Sequence, residues 1–550
     1  MSTSVEVRFL PGPFIADVEP GSTLLAAVRK VRAPLEALCD GAGICGKCLV
    51  WLDPEMLTAL EPGVDVHGGN GQGALVLACD ARVRADIAAT IPDRGDKNLA
   101  IVDHGLATAR SLAPHIAVVR ASDGCTVWAG QELIASLPSA VANLGIAVDI
   151  GTTTLVVALV DLDSGDELAV ASALNPQTDY GYDVLSRIHF AAESDGLATM
   201  QRALVNGLNA LIGQVCQRAG VDAGHIHEAV LGGNTCMLHI AAAVNPAPLG
   251  RVPYRPSLTG ASHMRAAELG VGIAAHGLVY LPPVVSGFVG ADITAGILAT
   301  DLHRSKQTVL LLDIGTNGEM VLAHAGELWA TSTAAGPAFE GVNITCGMRA
   351  APGAVDAVIT SDGGWTLHTI GDVPASGICG SGLVDLVSCL VKNGAIGKNG
   401  RFEITVTPPV GRWDAGRCVL RLVGDVILTQ KDVRQVQLAK AAIRAGLDAL
   451  LAGAKVRRQD VERVLVAGSF GYHLRPDSLA GSGLLPGSLA AKVEAVGNTC
   501  KAGAITLLTN DDTRRELKAV TARVRSIELA NDAAFGRRFV EQMAFGDAST

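Results

Sequence analysis

"GIAVDIGTTTLVVALVDLDSGDEL" (145–168) and "TVLLLDIGTNGEMVLAHAGEL" (308–328) are written to one plan. Each runs an apolar strand into Asp-Ile-Gly-Thr, continues through a second apolar strand, and closes at a glycine turn on Glu-Leu. Asp149 and Asp313 are equivalent positions 164 residues apart, so an internal duplication of roughly that period is expected. One copy would read as an ordinary β-hairpin with an Asp-Gly turn. Two copies, each behind a strand apolar enough to be buried, point to phosphate binding. The Gly-Thr-Thr and Gly-Thr-Asn turns present backbone N–H groups and hydroxyls to an anion, and the preceding aspartate is placed to hold Mg²⁺ or its waters.

A third element, "RVLVAGSFGYHL" (463–474), runs a buried-type strand into Gly468-Ser469-Phe470-Gly471. By itself it is a strand–helix turn, but a glycine-rich turn also admits a flat base or ribose against bare backbone. The order of the three elements resembles the acetate kinase, sugar kinase, heat-shock chaperone and actin superfamily, in which two RNase H-like halves close on ATP. "GICGSGLVD" (377–385) resembles that superfamily's connecting helix, whose small residues let the halves pack closely.

Near the N-terminus, "CDGAGICGKC" (39–48) holds three cysteines and three glycines. Cys39, Cys45 and Cys48 are spaced C-x5-C-x2-C, and Cys79 follows after 30 further residues. A zinc ribbon would bring two CxxC pairs or two histidines, and a redox dithiol would leave two cysteines idle. The pattern lies one residue from the plant-type [2Fe–2S] spacing. Gly41, Gly43 and Gly46 allow tight turns that aim backbone N–H groups at cluster sulfides. "VEVRFL" and "FIADVE" alternate as hairpin strands, "STLLAAVRKV" reads as a capped helix, and "CLVWL" as a strand leaving the loop. This order resembles the β-grasp [2Fe–2S] ferredoxins.

The bulk properties agree. The chain has 550 residues, 49% hydrophobic and 18% charged, with formal net charge −10 and mean hydropathy +0.34. That supplies several large cores and excludes disorder; the absence of long basic runs gives nucleic acid no electrostatic footing. "MSTSVEVRFLPG" lacks the basic and apolar regions of a secretory signal. No apolar stretch reaches membrane-spanning length without acids, glycine clusters or proline. A cytoplasmic protein with reduced thiols is expected, and with it twelve cysteines that serve as ligands or small core residues.

A β-grasp [2Fe–2S] module ahead of a duplicated ATPase resembles the reductive activators of corrinoid proteins, which restore Co(I) in corrinoid-dependent methyltransferase systems. Further stretches carry the resemblance: "NPQTDYGYDVLSRI" (175–188), "GGNTCMLHI" (232–240), "SGFVGADI" (286–293), "STAAGPAFEGVNITCGMRAAPGA" (332–354), "LTQKDVRQVQLAKAAIRAG" (428–446), "SGLLP" (482–486) and "VGNT" (496–499). The resemblance implies that Cys39, Cys45, Cys48 and Cys79 ligate the cluster. It implies a first phosphate turn of Gly151, Thr152 and Thr153 after Asp149, and a second of Gly315, Thr316, Asn317 and Gly318 after Asp313. Glu319 would reach Mg²⁺ or orient a water. Asn234 and Thr235 would make a phosphate or interdomain contact, Gly380, Ser381 and Gly382 would belong to the nucleotide site, and Gly468, Phe470 and Gly471 would border the adenosine. Glu340 is a carboxylate near the cleft or the partner. The loop around Tyr180 departs from the family's phrasing.

The expected organisation is multidomain α/β: a [2Fe–2S] ferredoxin-like domain over 1–96, a partly structured linker over 97–143, and RNase H-like halves over 144–305 and 306–540. The implied partners are a Co(II) corrinoid protein and an upstream electron donor, with no nucleic acid and no membrane, and the implied assembly is a homodimer. Three rival readings share these features: a small-molecule kinase with a redox sensor, for which Asp292 or Glu340 would serve as base; a radical-dehydratase activator, whose cluster would bridge two subunits; and a nucleotide-dependent clamp with a structural cluster.

Overall fold

The computed structural model describes residues 4–12, 14–31, 33, 35, 48–69, 73–92, 111–122, 124–139, 141–361, 364–414, 416, 418–468 and 474–546.

The N-terminal alternation folds as a hairpin, Val5–Leu10 against Phe14–Val18, with Val5 opposite Val18. Every second residue of the first strand (Val5, Val7, Phe9) is buried, the two-residue period of a half-covered sheet. Helix Leu24–Val31 lays Leu24, Leu25, Ala27 and Val28 on that face. The strand Ile87–Thr90 returns parallel to Val5–Leu10 and closes the β-grasp. The six-stranded sheet continues through Leu49–Leu52, Ala74–Leu77 and Val66–Gly69. Among the described residues its core draws on positions 5 to 91.

Part of the segment expected to be a linker is a three-stranded antiparallel meander: Ile116–Ala121, Gly124–Ala129 and Glu132–Leu137. Ile116, Val127 and Ala129 pack with Ala147, Val160, Leu507 and Leu508 of the two halves that follow. The Asp511 N–H donates to the Ala113 carbonyl at 2.8 Å. Residues 111–143 therefore belong to the body that follows. Their alternating, weakly apolar strands look like a linker until the partner surface is known.

The duplication is realised as two sheets of one plan. In the first, Leu144–Ile150 pairs on one side with the antiparallel Thr154–Asp161, which in turn pairs antiparallel with Glu167–Leu174, and on the other side with the parallel Ile226–Gly233, beyond which lies the parallel Leu278–Leu281. In the second, Val309–Ile314 pairs on one side with the antiparallel Gly318–His324, which in turn pairs antiparallel with Glu327–Thr333, and on the other side with the parallel Arg463–Ala467, beyond which lies the parallel Val493–Gly497. Asp149 pairs with Val156 and Gly232, and Asp313 with Glu319 and Ala467, so each aspartate sits at the equivalent place in its sheet although the first hairpin turn is one residue longer.

The halves exchange helices. Helix Ala291–Ala299, early in the chain, lays Ile293 and Ile297 on the second sheet. Helix Thr499–Thr509, late in the chain, lays Leu507 and Leu508 on the first. The two cross where a Cβ on Gly503 would lie 2.2 Å from the Ala295 carbonyl oxygen. These helices connect the halves, and the expectation for "GICGSGLVD" is corrected. Helix Gly380–Asn393 packs inside the second half, where a Cβ on Gly382 would meet the Val355 carbonyl oxygen at 2.1 Å. Small residues announce a close backbone approach, but not which backbone. The second half also runs past residue 540: Phe545 is buried in its core, and Lys440 Nζ donates to the Gln542 carbonyl at 2.6 Å. Among the described residues no helix is long and apolar enough to cross a membrane.

Candidate functional site

The two hairpin turns face each other across a cleft of about 120 Å³ lined from both halves. Asp149, Gly151, Thr152, Thr153 and Asn234 come from the first, and Asp313, Gly315, Thr316, Asn317, Glu319, Glu340 and Gly468 from the second. The exchanged helices contribute Asp292, Asn498, Thr499 and Cys500. The central strands, apolar on both faces because helices cover both, carry Asp149 and Asp313 one residue before their ends and deliver both aspartates to the floor.

Four carboxylates share that floor. Burial, and then the neighbouring Asp149 charge, push Asp313 up to about 7. Asp292 is likewise raised to about 7 by burial and by Asp313. Burial, then Asp292 and Asp313, hold Glu319 well above the carboxylate range, and burial raises Asp149. Like charges this close cannot all ionise unless a cation joins them. This all-oxygen donor set fits a hard divalent ion such as Mg²⁺.

Polar partners fix the turns. Asn234 Nδ2 donates to Thr152 Oγ1 at 3.0 Å, and Asn498 Nδ2 to Asp149 Oδ2 at 2.8 Å. Both asparagines cap helices, accepting from the Met237 N–H at 3.0 Å and the Lys501 N–H at 2.8 Å. The Gly-Asn-Thr triplet therefore occurs twice with one job: capping a helix while turning its amide into the cleft. Asn498 could have been found in the sequence from its likeness to Asn234. The loop around Tyr180 also gains a role. Asn175 Nδ2 donates to the Gly151 carbonyl at 2.8 Å. The buried Arg187 donates to the Thr152 carbonyl, to Gln177 Oε1 at 3.1 Å and to the Gly181 carbonyl at 2.8 Å. "NPQTDYGYDVLSR" is thus the scaffold of the first turn.

Not every expected residue reaches the cleft. Thr235 donates its hydroxyl to the Ser286 carbonyl at 2.7 Å and ties a loop down. Gly318 opens a strand where a Cβ would lie 3.1 Å from Ile443 Cγ1. Gly380, Ser381 and Gly382 are buried at a helix start and are not among the lining residues. Gly468 does line the cleft: its φ is +91° and a Cβ there would lie 2.8 Å from Asp313 Oδ1. Phe470 and Gly471 lie outside the described residues.

In the N-terminal domain the Ala78 N–H donates to the Cys48 carbonyl at 2.7 Å. This bond extends the pairing of Leu49 with Leu77, so Cys48 and Cys79 stand at neighbouring strand ends. Cysteines at neighbouring strand ends fit a thiolate-ligated cluster. Cys39 and Cys45 lie outside the described residues. Elsewhere, burial pushes the Cys236 and Cys389 thiols up to about 12, which suits packing residues. Cys500 is the exception to the expectation of bland cysteines, because it lines the cleft.

Comparison with known proteins agrees with this geometry. Residues 10–84 match the 2Fe-2S iron-sulfur cluster binding domain, 144–305 the RACo middle region, and 307–550 the C-terminal domain of RACo, the ASKHA domain. The corrinoid activation enzyme RamQ of Eubacterium limosum is 31% identical over 96% of this chain and 97% of its own. The chain belongs to the family of corrinoid reductive activators. Another member, the [Co(II) methylated amine-specific corrinoid protein] reductase of Methanosarcina barkeri, is 25% identical over 69% of this chain and 73% of its own. The solved structure of a reductive activator for corrinoid, iron-sulfur protein superposes with TM-score 0.74 at 29% identity, covering 98% of both chains. The β-grasp domain and the duplicated ATPase are thus family features.

Proposed function

We propose that this protein is an ATP-dependent reductive activator that returns the inactive Co(II) corrinoid of a methyltransferase system to Co(I). One observation carries the reading. A β-grasp domain with cysteines at adjacent strand ends shares a chain with a cleft where two Asp-Ile-Gly-Thr hairpins and four carboxylates converge. The likeness to family members acting on corrinoid proteins supports the same substrate class.

A [2Fe–2S] cluster held by Cys39, Cys45, Cys48 and Cys79 would supply one-electron chemistry near about −400 mV. Each 100 mV by which a donor falls short of Co(II) costs about 2.3 kcal/mol per electron. Binding energy that depends on the nucleotide is the available source. Asp149 and Asp313 would hold Mg²⁺, Asp292 and Glu319 would complete its surroundings, and the Gly151–Thr153 and Gly315–Asn317 turns would orient the phosphates. Because these groups come from both halves, nucleotide occupancy sets how the halves meet and hence what surface the corrinoid protein encounters.

The test is anaerobic absorbance spectroscopy of a Co(II) corrinoid protein from the same organism, mixed with this protein, a reductant that fills the cluster, and Mg-ATP. Co(I) should form only with ATP and disappear with Asp313→Ala or Cys48→Ser. Cluster reduction and ATP turnover with every corrinoid partner left as Co(II) would replace this reading with the kinase or clamp.

A further inference from the structure

The residue at the centre of the cleft is neither an aspartate of the floor nor part of a hairpin. Thr316 Oγ1 donates to Glu340 Oε1 at 2.7 Å, and Thr153 Oγ1 donates to Glu340 Oε2. The two hydroxyls are 3.4 Å apart, and a Cβ on Gly315 would lie 3.9 Å from Glu340 Oε1. One anionic group, with one oxygen facing each hydroxyl, therefore bridges the two Gly-Thr turns. These turns are built to receive phosphate.

We propose that Glu340 competes with the phosphate chain of ATP for a phosphoryl seat, clasping the two hairpins together until phosphate displaces it. The inference rests on the nucleotide reading above and deepens it by assigning a regulatory role to a side chain of the same site.

The clasp is anchored on one side only. Glu340 ends the short turn Pro337–Glu340, whose Ala338 and Phe339 are buried in the second-half core. The Gly336 N–H donates to the Thr316 carbonyl at 2.9 Å, tying the segment to the second hairpin. Thr153, in contrast, belongs to the first half. The Thr153–Glu340 bond thus joins the halves through the cleft. A carboxylate and a phosphoryl group cannot share these two hydroxyls, because both are anionic acceptors and neither carries a proton to donate. Phosphate arrival therefore breaks the bond between Glu340 and Thr153 and frees the first half from this tether. A residue that stabilises only the empty state opposes ligand binding by the same free energy.

The test compares full-length wild type with Glu340→Gln and Glu340→Ala, titrated calorimetrically with Mg²⁺ and the β,γ-imido analogue of ATP, and separately with AMP. Losing a charge-assisted clasp should tighten the triphosphate analogue by about tenfold or more and leave AMP affinity unchanged. Without nucleotide both variants should melt below wild type, and saturation with the analogue should remove the difference. Unchanged or weaker analogue binding in the variants overturns the clasp, since Glu340 would then contact the nucleotide or its cation. An equal gain for AMP also overturns it, because AMP lacks the phosphates that would fill the seat. If neither wild type nor variants bind any nucleotide, the nucleotide reading itself falls, and the clasp with it. The glutamine variant keeps the side-chain volume, so a packing defect confined to the alanine variant cannot imitate the result.

Discussion

The hydroxyls of Thr153 and Thr316, 163 residues apart in the chain, lie 3.4 Å from each other. Each follows a strand whose aspartate faces the same cleft, so a duplication read along the chain becomes a two-sided site in space. A ligand engaging both turns must touch both halves. Its binding energy is therefore coupled to their relative position.

The ferredoxin domain has a core of its own, and this separates electron transfer from nucleotide chemistry. Cys48→Ser or Cys79→Ser should abolish the visible [2Fe–2S] absorption and Co(I) formation, yet leave ATP hydrolysis within about twofold of wild type. Anaerobic spectra and a phosphate-release assay on the same preparations check both halves of the statement.

Arg187 is fully buried, and burial lowers its guanidinium to about 10. It persists because it satisfies the Thr152 and Gly181 carbonyls and Gln177. Arg187→Met should leave those acceptors unpaired, cost about 2–4 kcal/mol in urea unfolding, and weaken ATP binding through a loosened first turn. The cluster spectrum should not change.

At the helix crossing, Gly503 has no room for a side chain beside the Ala295 carbonyl. Gly503→Ala should push the exchanged helices apart and lower stability by about 1–3 kcal/mol. Because Asn498 and Cys500 precede it on the same helix, ATP affinity should fall as well, as nucleotide titration would show.

Away from the cleft, Glu228 is fully buried and receives two bonds from Arg514, at 2.9 and 2.7 Å. Burial alone would raise the Glu228 carboxyl, but the Arg514 guanidinium and the His263 hydrogen bond outweigh it and hold the group down to about 2. A carboxylate depressed in the folded state adds stability that is complete above its unfolded value of about 4.3 and is lost as pH falls toward about 2. Glu228→Gln should lower the urea midpoint at pH 7 and flatten its decline between about pH 4.3 and 2 relative to wild type.

Much of the site was legible in the sequence because it is local. Asp149-Ile-Gly-Thr and Asp313-Ile-Gly-Thr each carry strand, turn and acid in consecutive residues, and the apolar runs before them fix which end of the strand the acid occupies. Cys48 and Cys79 were readable for a similar reason, since the spacing of thiols constrains their chemistry before any fold is known. Other features depend on pairs distant in the chain. Gly382 and Gly503 are alike as small helix residues, yet one packs within a half and the other between halves; only the opposing carbonyl distinguishes them. The meander between Ile116 and Leu137 has no apolar signal strong enough to stand alone, because most of the core it joins is supplied by other segments, Leu507 and Leu508 among them. Asp292 and Asn498 enter the cleft because helices are exchanged, and Glu340 reaches Thr153 only because the halves close. The sequence by itself determined the cysteine spacing, the two hairpins and the duplicated α/β plan, all set by periodicity and turn chemistry over a few residues. The tertiary structure alone decided which small residues touch, which helices cross, and which carboxylate bridges the turns, because those outcomes rest on contacts between segments that share no local signal.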